Sequence, residues 1–178
     1  MAAASQGEEM KKLFFAAMVL LVAGLAAPAQ QPAHAKPAKP AGAKKWDALA
    51  NAALAAMKKR AAELNISGVA VVSYAPGDAI QGWSSRMAVV GRMKDDPTAT
   101  TKGNNLIGIA YAKSAEMADT LKDSGTATRP PMTGEFGWQG GVVARVKSGT
   151  VIVAFSGGKS EDDVQVSRAG MAVLQPAL

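Results

Sequence analysis

The sequence predicts an α+β fold, an antiparallel sheet with flanking helices. Apolar residues recur with helical spacing in three segments, and short β-branched runs lie between them. Only Ser148 and Gly149 separate two of those runs, which is the spacing of a hairpin and therefore of antiparallel strands. The predicted helices span 46–64, 106–122 and 160–174. The predicted strands span 67–74, 79–90 with a break near Ser84 and Ser85, 141–147 and 150–155.

The first helix is predicted from an apolar stripe that includes Trp46 and Met57, and Asn65 suits a left-handed stop after it. The strand at 67–74 is rich in valine and should be buried. A turn is expected at 75–78, because this stretch contains a proline followed by a glycine.

The second helix keeps the same apolar spacing and should bury Leu121. In the last helix Ser160 is expected to be the N-cap, with Asp163 three positions later as in a capping box. The first two helices should cover the sheet, and the last helix should lie at its side.

Residues 1–35 are predicted to be a cleavable secretory signal, which makes the mature protein periplasmic or secreted. A short basic segment precedes an unbroken apolar run at 13–27, and A-x-A cleavage sites follow. A membrane anchor is the alternative, but the run is shorter than the roughly 20 residues that span a bilayer. No transmembrane span is therefore expected after cleavage. Two glutamates ahead of the basic segment have the wrong charge for a signal, which leaves Met10 as an alternative start.

After the signal, residues 36–45 are predicted to be a flexible tether of proline, alanine and lysine. Residues 46–178 should form one folded domain, which is long enough to bury most of its apolar surface.

The composition excludes several chemistries. The chain has no cysteine, and its single histidine, His34, lies in the signal or the tether. The mature domain therefore has no thiolate or imidazole for zinc, a catalytic triad or haem. The net charge is +6, but the cations outside the tether are scattered among acids, so nucleic-acid binding is not expected. Asp95 and Asp96 supply too few oxygens for calcium, and no metal site is expected.

Two motifs have a functional and a structural interpretation. Residues 157–160 end like a phosphate-binding loop, but Val153 stands where that motif needs its first glycine. A strand-to-helix turn is favoured, although its amides could hold a carboxylate. Glu135, Asp162 and Asp163 could pair for acid–base work, but nothing in the sequence defines their separation.

Aromatic residues and methionines in loops could line an apolar pocket, or they could cap the core. Nearby arginines would suit an acidic ligand by bidentate pairing. These residues are Trp83, Met93, Met132, Phe136 and Trp138, with Arg86, Arg92 and Arg129.

Over residues 46–174 the chain resembles the GlcG/HbpS family of haem-binding proteins. The matching features are the Ala-rich first helix, the Val-rich strand and a set of short motifs. These motifs are Ala112-Lys113-Ser114-Ala115, Gly140-Gly141, Ser156-Gly157-Gly158, Ser160-Glu161-Asp162-Asp163 and Ala169-Gly170. The chain departs from the family at 73–78, where a Val-Asp-Gly-like turn is usual, and in a longer polar stretch before the second helix.

The resemblance implies a profilin-like three-layer sandwich, a homo-oligomer, and a small-molecule or haem ligand with no established reaction. Residue by residue, it points to Lys113, Gly140, Gly141, Ser156, Gly157 and Asp162 as the ligand site. Arg129 and Met132 join this set from the loops, Arg129 for an acidic group and Met132 for haem iron. Haem iron is normally held by His, Cys, Met or Tyr. The candidates are therefore Met93 and Met132, then Tyr74, while Tyr111 is expected to pack in its helix.

The predicted function is an exported small-molecule-binding module without catalytic activity, with haem as one candidate ligand. Two alternatives stay open at this stage. One is an enzyme that acts on a small acidic metabolite, and the other is a structural, oligomeric protein of the cell envelope.

Overall fold

The computed structural model describes residues 43–91 and 103–178, with side chains from Lys45 onward. The predicted signal, most of the predicted tether and the loop residues Arg92, Met93, Asp95 and Asp96 lie outside these ranges. The elements in chain order are α1 (Ala43–Glu63), β1 (Gly68–Pro76), β2 (Ser84–Val90), α2 (Leu106–Thr120), β3 (Gly141–Val146), β4 (Gly149–Ser156) and α3 (Ser160–Leu174), followed by a 3₁₀ turn at Gln175–Ala177. The predicted α+β class with an antiparallel sheet is confirmed.

The sheet has the strand order β2-β1-β4-β3, and all three pairings are antiparallel. The two central strands, β1 and β4, are buried along almost their whole length. They are central because their valine-rich runs need cover on both faces. Their register runs from Val69 opposite Ser156 to Pro76 opposite Gly149.

Alternate residues of the central strands face two different helix layers, since successive strand side chains point to opposite faces. On one face Val72, Val153 and Phe155 pack with buried residues of α1 and α3. On the other face Val71 and Ile152 lie under α2. The architecture is therefore a three-layer sandwich, with α1 and α3 on one side and α2 on the other.

The last helix does not lie at the side of the sheet, as the sequence suggested. It packs beside α1 on the same face, where a Cβ added at Gly170 would lie 2.8 Å from the sulfur of Met57. The missing side chain at Gly170 lets the two helices approach closely. Within the described ranges, none of the helices is long and apolar enough to cross a bilayer.

The observed ends of the helices and strands agree with the predicted ends at some positions and differ at others. Asn65 adopts φ +54° and ends α1, as predicted, with Ile66 N donating to Ala61 O at 3.0 Å. The start of α1 at Ala43 precedes the prediction by three residues. The expected turn at 75–78 is wrong in its first half, because residues 75 and 76 still pair with β4. Strand β2 is shorter than predicted and begins only at Ser84.

Leu121 was expected in the core, but its side chain is 48% exposed. It is the residue that ends α2, with φ +52° and its N–H donating to Met117 O. The left-handed conformation turns this position out of the apolar stripe of α2, whose last member is Met117. Met57, by contrast, is fully buried, as predicted.

Replacing Met57 by alanine is expected to lower the free energy of unfolding by about 2–5 kcal/mol, because a cavity would open between α1, α3 and the sheet. Leu121→Ala is the matched control and should change it by less than about 0.5 kcal/mol. Urea denaturation of both variants measures the difference, and similar losses at the two positions would show that this assignment of faces is wrong.

Candidate functional site: a pocket at Lys113

A cavity of about 150 Å³ lies where α2, the end of β4 and the start of α3 meet the loop that precedes β3. One wall is apolar and consists of Leu106, Ile109 and Trp138. The rest of the lining is polar and is supplied by Asn104, Lys113, Gln139, Ser156, Gly157, Gly158, Ser160 and Asp163. The cavity thus combines a small apolar surface with a cluster of hydrogen-bonding groups, as ligand sites commonly do.

The central feature of the polar side is a buried ion pair. Lys113 Nζ donates to Asp163 Oδ2 at 2.8 Å and to Phe155 O at 2.9 Å. The two side chains are only 3% and 4% exposed. Asp163 Oδ1 also accepts from Gly158 N at 2.8 Å. Each charge is therefore held by its partner and by a backbone group, which buried charges require.

The protonation of Asp163 is set by opposing effects. Burial raises the pKa of the Asp163 carboxyl, while the Lys113 ammonium and the Gly158 amide act to lower it. Burial is the larger effect, so the pKa of Asp163 lies above its ordinary value.

Gly140 is the residue that makes room for the Lys113 ammonium. A Cβ at this position would lie 2.2 Å from Lys113 Nζ and 2.9 Å from Phe155 O, and the backbone has φ +135°. Its carbonyl accepts from Ser167 Oγ at 2.6 Å and from Phe155 N at 3.0 Å. Both the space and the conformation favour glycine here.

The turn into α3 shapes the floor of the cavity. Gly157 is pressed against β1, since a Cβ there would lie 2.0 Å from Ser67 O. The N-cap of α3 is Lys159, not Ser160, and it makes no side-chain capping bond. The Asp163 carboxylate accepts hydrogen bonds from Gly158 N and Lys113 Nζ and does not complete a capping box. The predicted capping box is therefore wrong.

Four of the predicted site residues come together. Lys113, Ser156 and Gly157 line the cavity, and Gly140 contacts the Lys113 ammonium. Asp162 does not line it, and its carboxylate accepts from Gln165 Nε2 at 3.3 Å.

The sequence analysis did not assign Asp163 to the site, although a signal was available. Lys113 lies on the buried face of α2, and Asp163 lies on the buried face of α3. Lysine and aspartate are rarely buried unless they are paired. A lysine and an aspartate on two apolar stripes therefore indicate a contact between them.

Gly141 and Met132 lie elsewhere. A Cβ at Gly141 would lie 2.3 Å from Met117 Cε, and its N–H donates to Ser124 Oγ, so it packs the start of β3 against α2. Met132 is 51% exposed and lines neither cavity described here. Their assignment to a ligand site stays a prediction.

Arg129 lines a second cavity, of about 120 Å³, with Glu116 and Glu135. Its guanidinium donates to both oxygens of Glu135, at 2.7 and 2.9 Å, and to Asp119 at 2.6 Å. The hydrogen bond from Arg129, followed by that from Met132 N, lowers the pKa of Glu135 to about 2. The same carboxylates raise the pKa of Arg129. A ligand carboxylate at Arg129 would have to compete with the carboxylates of Glu135 and Asp119. The role of Arg129 in ligand binding stays a prediction.

The described residues of the Lys113 pocket do not fit an axially ligated haem. None of the lining residues is His, Cys, Met or Tyr, the usual ligands of haem iron. Tyr74 lies in the α1 side of the core and donates to Ser148 O, so it is not available to this pocket. Tyr111 packs against the α2 side of the sheet, as expected. The volume is also below the roughly 300–1,000 Å³ of most ligand sites.

Comparison with solved structures shows the class of fold to which this domain belongs. The crystal structure of a PduOC:heme complex matches with a TM-score of 0.50 and 16% identity, over 71% of this chain and 92% of that one. A crystal structure of HbpS matches with a TM-score of 0.39 and 18% identity, over 86% and 99% of the two chains. No protein-family model and no curated protein matches the sequence.

The domain therefore has the profilin-like α+β fold of the PduOC protein. The resemblance to the GlcG/HbpS family that the sequence indicated is confirmed at the level of this fold.

Proposed function

We propose that this protein is a small-molecule-binding module that holds a small acidic ligand in the Lys113 pocket and catalyses no reaction. The observation that carries the proposal is the buried Lys113 ammonium at a cavity that also contains the turn at 156–158 and the start of α3. Two of the three N–H donors of Lys113 serve Asp163 and Phe155. The third donor is the one that we assign to an anionic group of the ligand.

The apolar wall restricts the rest of the ligand. Leu106, Ile109 and Trp138 favour a short hydrocarbon or a small ring beside the acidic group. A cavity of about 150 Å³ suits a small carboxylic acid better than a large cofactor. Trp138 is 49% exposed, and a bound ligand would cover part of its ring.

The contacts of the site support binding over catalysis. Lys113 Nζ donates to the Asp163 carboxylate and to the Phe155 carbonyl, so this nitrogen is engaged in the fold and is not a free nucleophile. Ser156 and Ser160 lie in the lining, but the only histidine of the chain is His34, far from them in sequence. A hydroxyl nucleophile normally requires such a base nearby.

Haem is the second candidate ligand, and the observation that favours it is the haem bound to the PduOC protein of the same fold. In this chain the iron ligand would have to come from outside the described lining of the Lys113 pocket, and Met132 and Met93 are the predicted residues. Haem would supply a redox-active iron, and the chain would contribute the pocket that holds an acidic side group.

Export belongs to the same proposal. The signal-like segment at 1–35 supports a mature protein that begins at Gln30 or Lys36 outside the cytoplasm. Edman sequencing of protein from the cell envelope tests this, and protein that still begins at Met1 or Met10 in the soluble extract would exclude it.

The test of ligand binding is a titration of ¹⁵N-labelled protein with acetate, lactate and succinate. At least one acid should shift the amide resonances of Gly157, Gly158 and Ser160 in a saturable way, because these residues line the cavity. Trp138→Ala should weaken that acid at least tenfold. Arg129→Ala is the matched control and should leave the Kd unchanged, since Arg129 lines the other cavity. Resonances that stay unshifted with all three acids would exclude this ligand class.

Haem binding is tested by titrating the protein with haemin and following the Soret absorbance band. A saturable shift that Met132→Ala abolishes would support haem with Met132 as ligand. A titration without a shift would exclude haem, and a shift that survives replacement of both Met132 and Met93 would exclude these ligands.

A further inference from the structure

The large apolar side chains that are exposed in the described residues all lie in one segment. They are Leu121, Met132, Phe136 and Trp138, which are 48%, 51%, 44% and 49% exposed. All four belong to the end of α2 and the loop that follows it, and we call them the loop surface. Phe136 and Trp138 stack with ring centroids 4.8 Å apart. Phe136 and Trp138 therefore form an exposed aromatic pair, and exposed apolar groups in contact mark interaction sites more often than scattered ones do.

The charge around the loop surface is opposite to that of the whole chain. Residues 116–139 have a formal charge of −2, from the four acids Glu116, Asp119, Asp123 and Glu135 and the two cations Lys122 and Arg129, whereas the net charge of the protein is +6. The exposed acids are Asp119 and Asp123, because the side chains of Glu116 and Glu135 are buried. The carboxylate of Asp119 is 56% exposed. The partner that fits this surface is therefore basic and has groups that pack on aromatic rings.

The tether has this chemistry. Residues 36–42, the part of the tether that precedes α1, contain the two lysines Lys36 and Lys39 and no acid, and Pro37-Ala38-Lys39-Pro40 is a P-x-x-P sequence. Proline-rich segments of this kind dock in extended form on aromatic-lined surfaces, at low entropic cost. Lysines on such a segment would be steered toward the exposed carboxylates of Asp119 and Asp123 by charge complementarity.

The distance between the start of α1 and Trp138 decides whether the tether can reach the loop surface of its own copy. Trp46, near the start of α1, packs on Tyr74 with ring centroids 5.7 Å apart, and Tyr74 donates to the β3–β4 turn at Ser148 O. Trp138 lies at the opposite end of β4, beside Ser156, and on the α2 side of the sheet. The eight residues of β4 separate these ends by about 25 Å at roughly 3.3 Å per residue.

The P-x-x-P segment is too short to cross that distance within one molecule. Pro40 precedes the start of α1 at Ala43 by three residues, which an extended proline-rich chain spans in about 9 Å. A contact within the chain would also have to pass around the sheet from the α1 side to the α2 side.

We propose that the Pro37–Pro40 segment of one copy docks on the loop surface of a second copy. The contact joins a basic, proline-rich tether to an acidic, aromatic surface and links copies of the chain into an oligomer. The occupant is a segment of this same protein, and no other partner is needed.

In-cell photo-crosslinking of the full chain tests the proposal. Two copies with different affinity tags are co-expressed with p-benzoylphenylalanine in place of Ala38, irradiated, and purified through both tags in succession. The expected product is a covalent pair in which position 38 is joined to the segment 121–138 of the other copy. The same photoreactive residue at Ala48, an exposed position on α1, is the control and should not label that segment.

Substitutions test the chemistry of the contact. Phe136→Ser, or Pro37→Ala with Pro40→Ala, should lower the yield of the covalent pair at least fivefold. Lys58→Glu with Lys59→Glu, two exposed lysines outside the tether, should leave it unchanged. Phe136 does not line the Lys113 pocket, so the loss would not report on the ligand site. Crosslinks confined to one copy, or mapped away from 121–138, would overturn the proposal.

Discussion

Replacing Lys113 by methionine is expected to lower the free energy of unfolding by about 3–5 kcal/mol, the usual cost of removing one partner of a buried ion pair. The substitution leaves the Asp163 carboxylate, which is 4% exposed, without its counter-ion and leaves Phe155 O without its donor. Methionine keeps the length of the side chain, so the loss reports mainly on the charge. Guanidinium denaturation at pH 7 measures it.

Two controls separate the ion pair from general effects of substitution. The double variant Lys113→Met with Asp163→Asn should lose less stability than Lys113→Met alone, because it removes the stranded charge and keeps an acceptor for Gly158 N. Lys58→Met, at an exposed lysine of α1, should stay within about 0.5 kcal/mol of the parent. A loss below about 1 kcal/mol for Lys113→Met would show that the buried pair is not formed as described.

Replacing Gly140 by alanine is the second large effect that we expect. The new methyl group would lie 2.2 Å from Lys113 Nζ, so the ammonium must leave its position between Asp163 and Phe155 O. The cost should approach that of Lys113→Met, because the same charge pair is disrupted, and the positive φ adds backbone strain.

Gly134→Ala is a matched control for Gly140→Ala. Gly134 also has a positive φ, +93°, but no atom lies within 4 Å of an added Cβ. Its substitution should therefore cost only the backbone term, about 1–2 kcal/mol. Thermal unfolding of the two variants measures the difference. Equal losses would mean that the contact with Lys113 does not determine the choice of glycine at position 140.

Several parts of the fold followed from local patterns. The bounds of α3 agree with the predicted 160–174, and Asn65 ends α1 in the left-handed conformation that was expected of it. The hairpin was also correct, apart from a shift of the turn by one residue to 147–148. These features depend on residues within a few positions of each other, which is the range over which periodicity and capping act.

The candidate site was only partly predictable. The family resemblance pointed to Lys113, Gly140, Ser156 and Gly157, which the fold brings together, but it chose Asp162 where Asp163 holds the lysine. A shift of one residue on a helix rotates a side chain by about 100°, from the buried face to its edge. Motif matching does not distinguish the two neighbouring aspartates. The apolar stripe of α3 does, because Asp163 lies on its buried face.

The sequence by itself determined the fold class, the order of the elements and the absence of cysteine and histidine from residues 46–178, because composition and short-range periodicity suffice for these. Only the tertiary structure decided that α3 lies beside α1, that Leu121 is exposed, and that Arg129 is bound by Glu135 and Asp119. It also decided the pairing of Lys113 with Asp163, across 50 residues of sequence. Such contacts arise from the packing of whole elements, and local spacing carries no information about which distant charge will meet which.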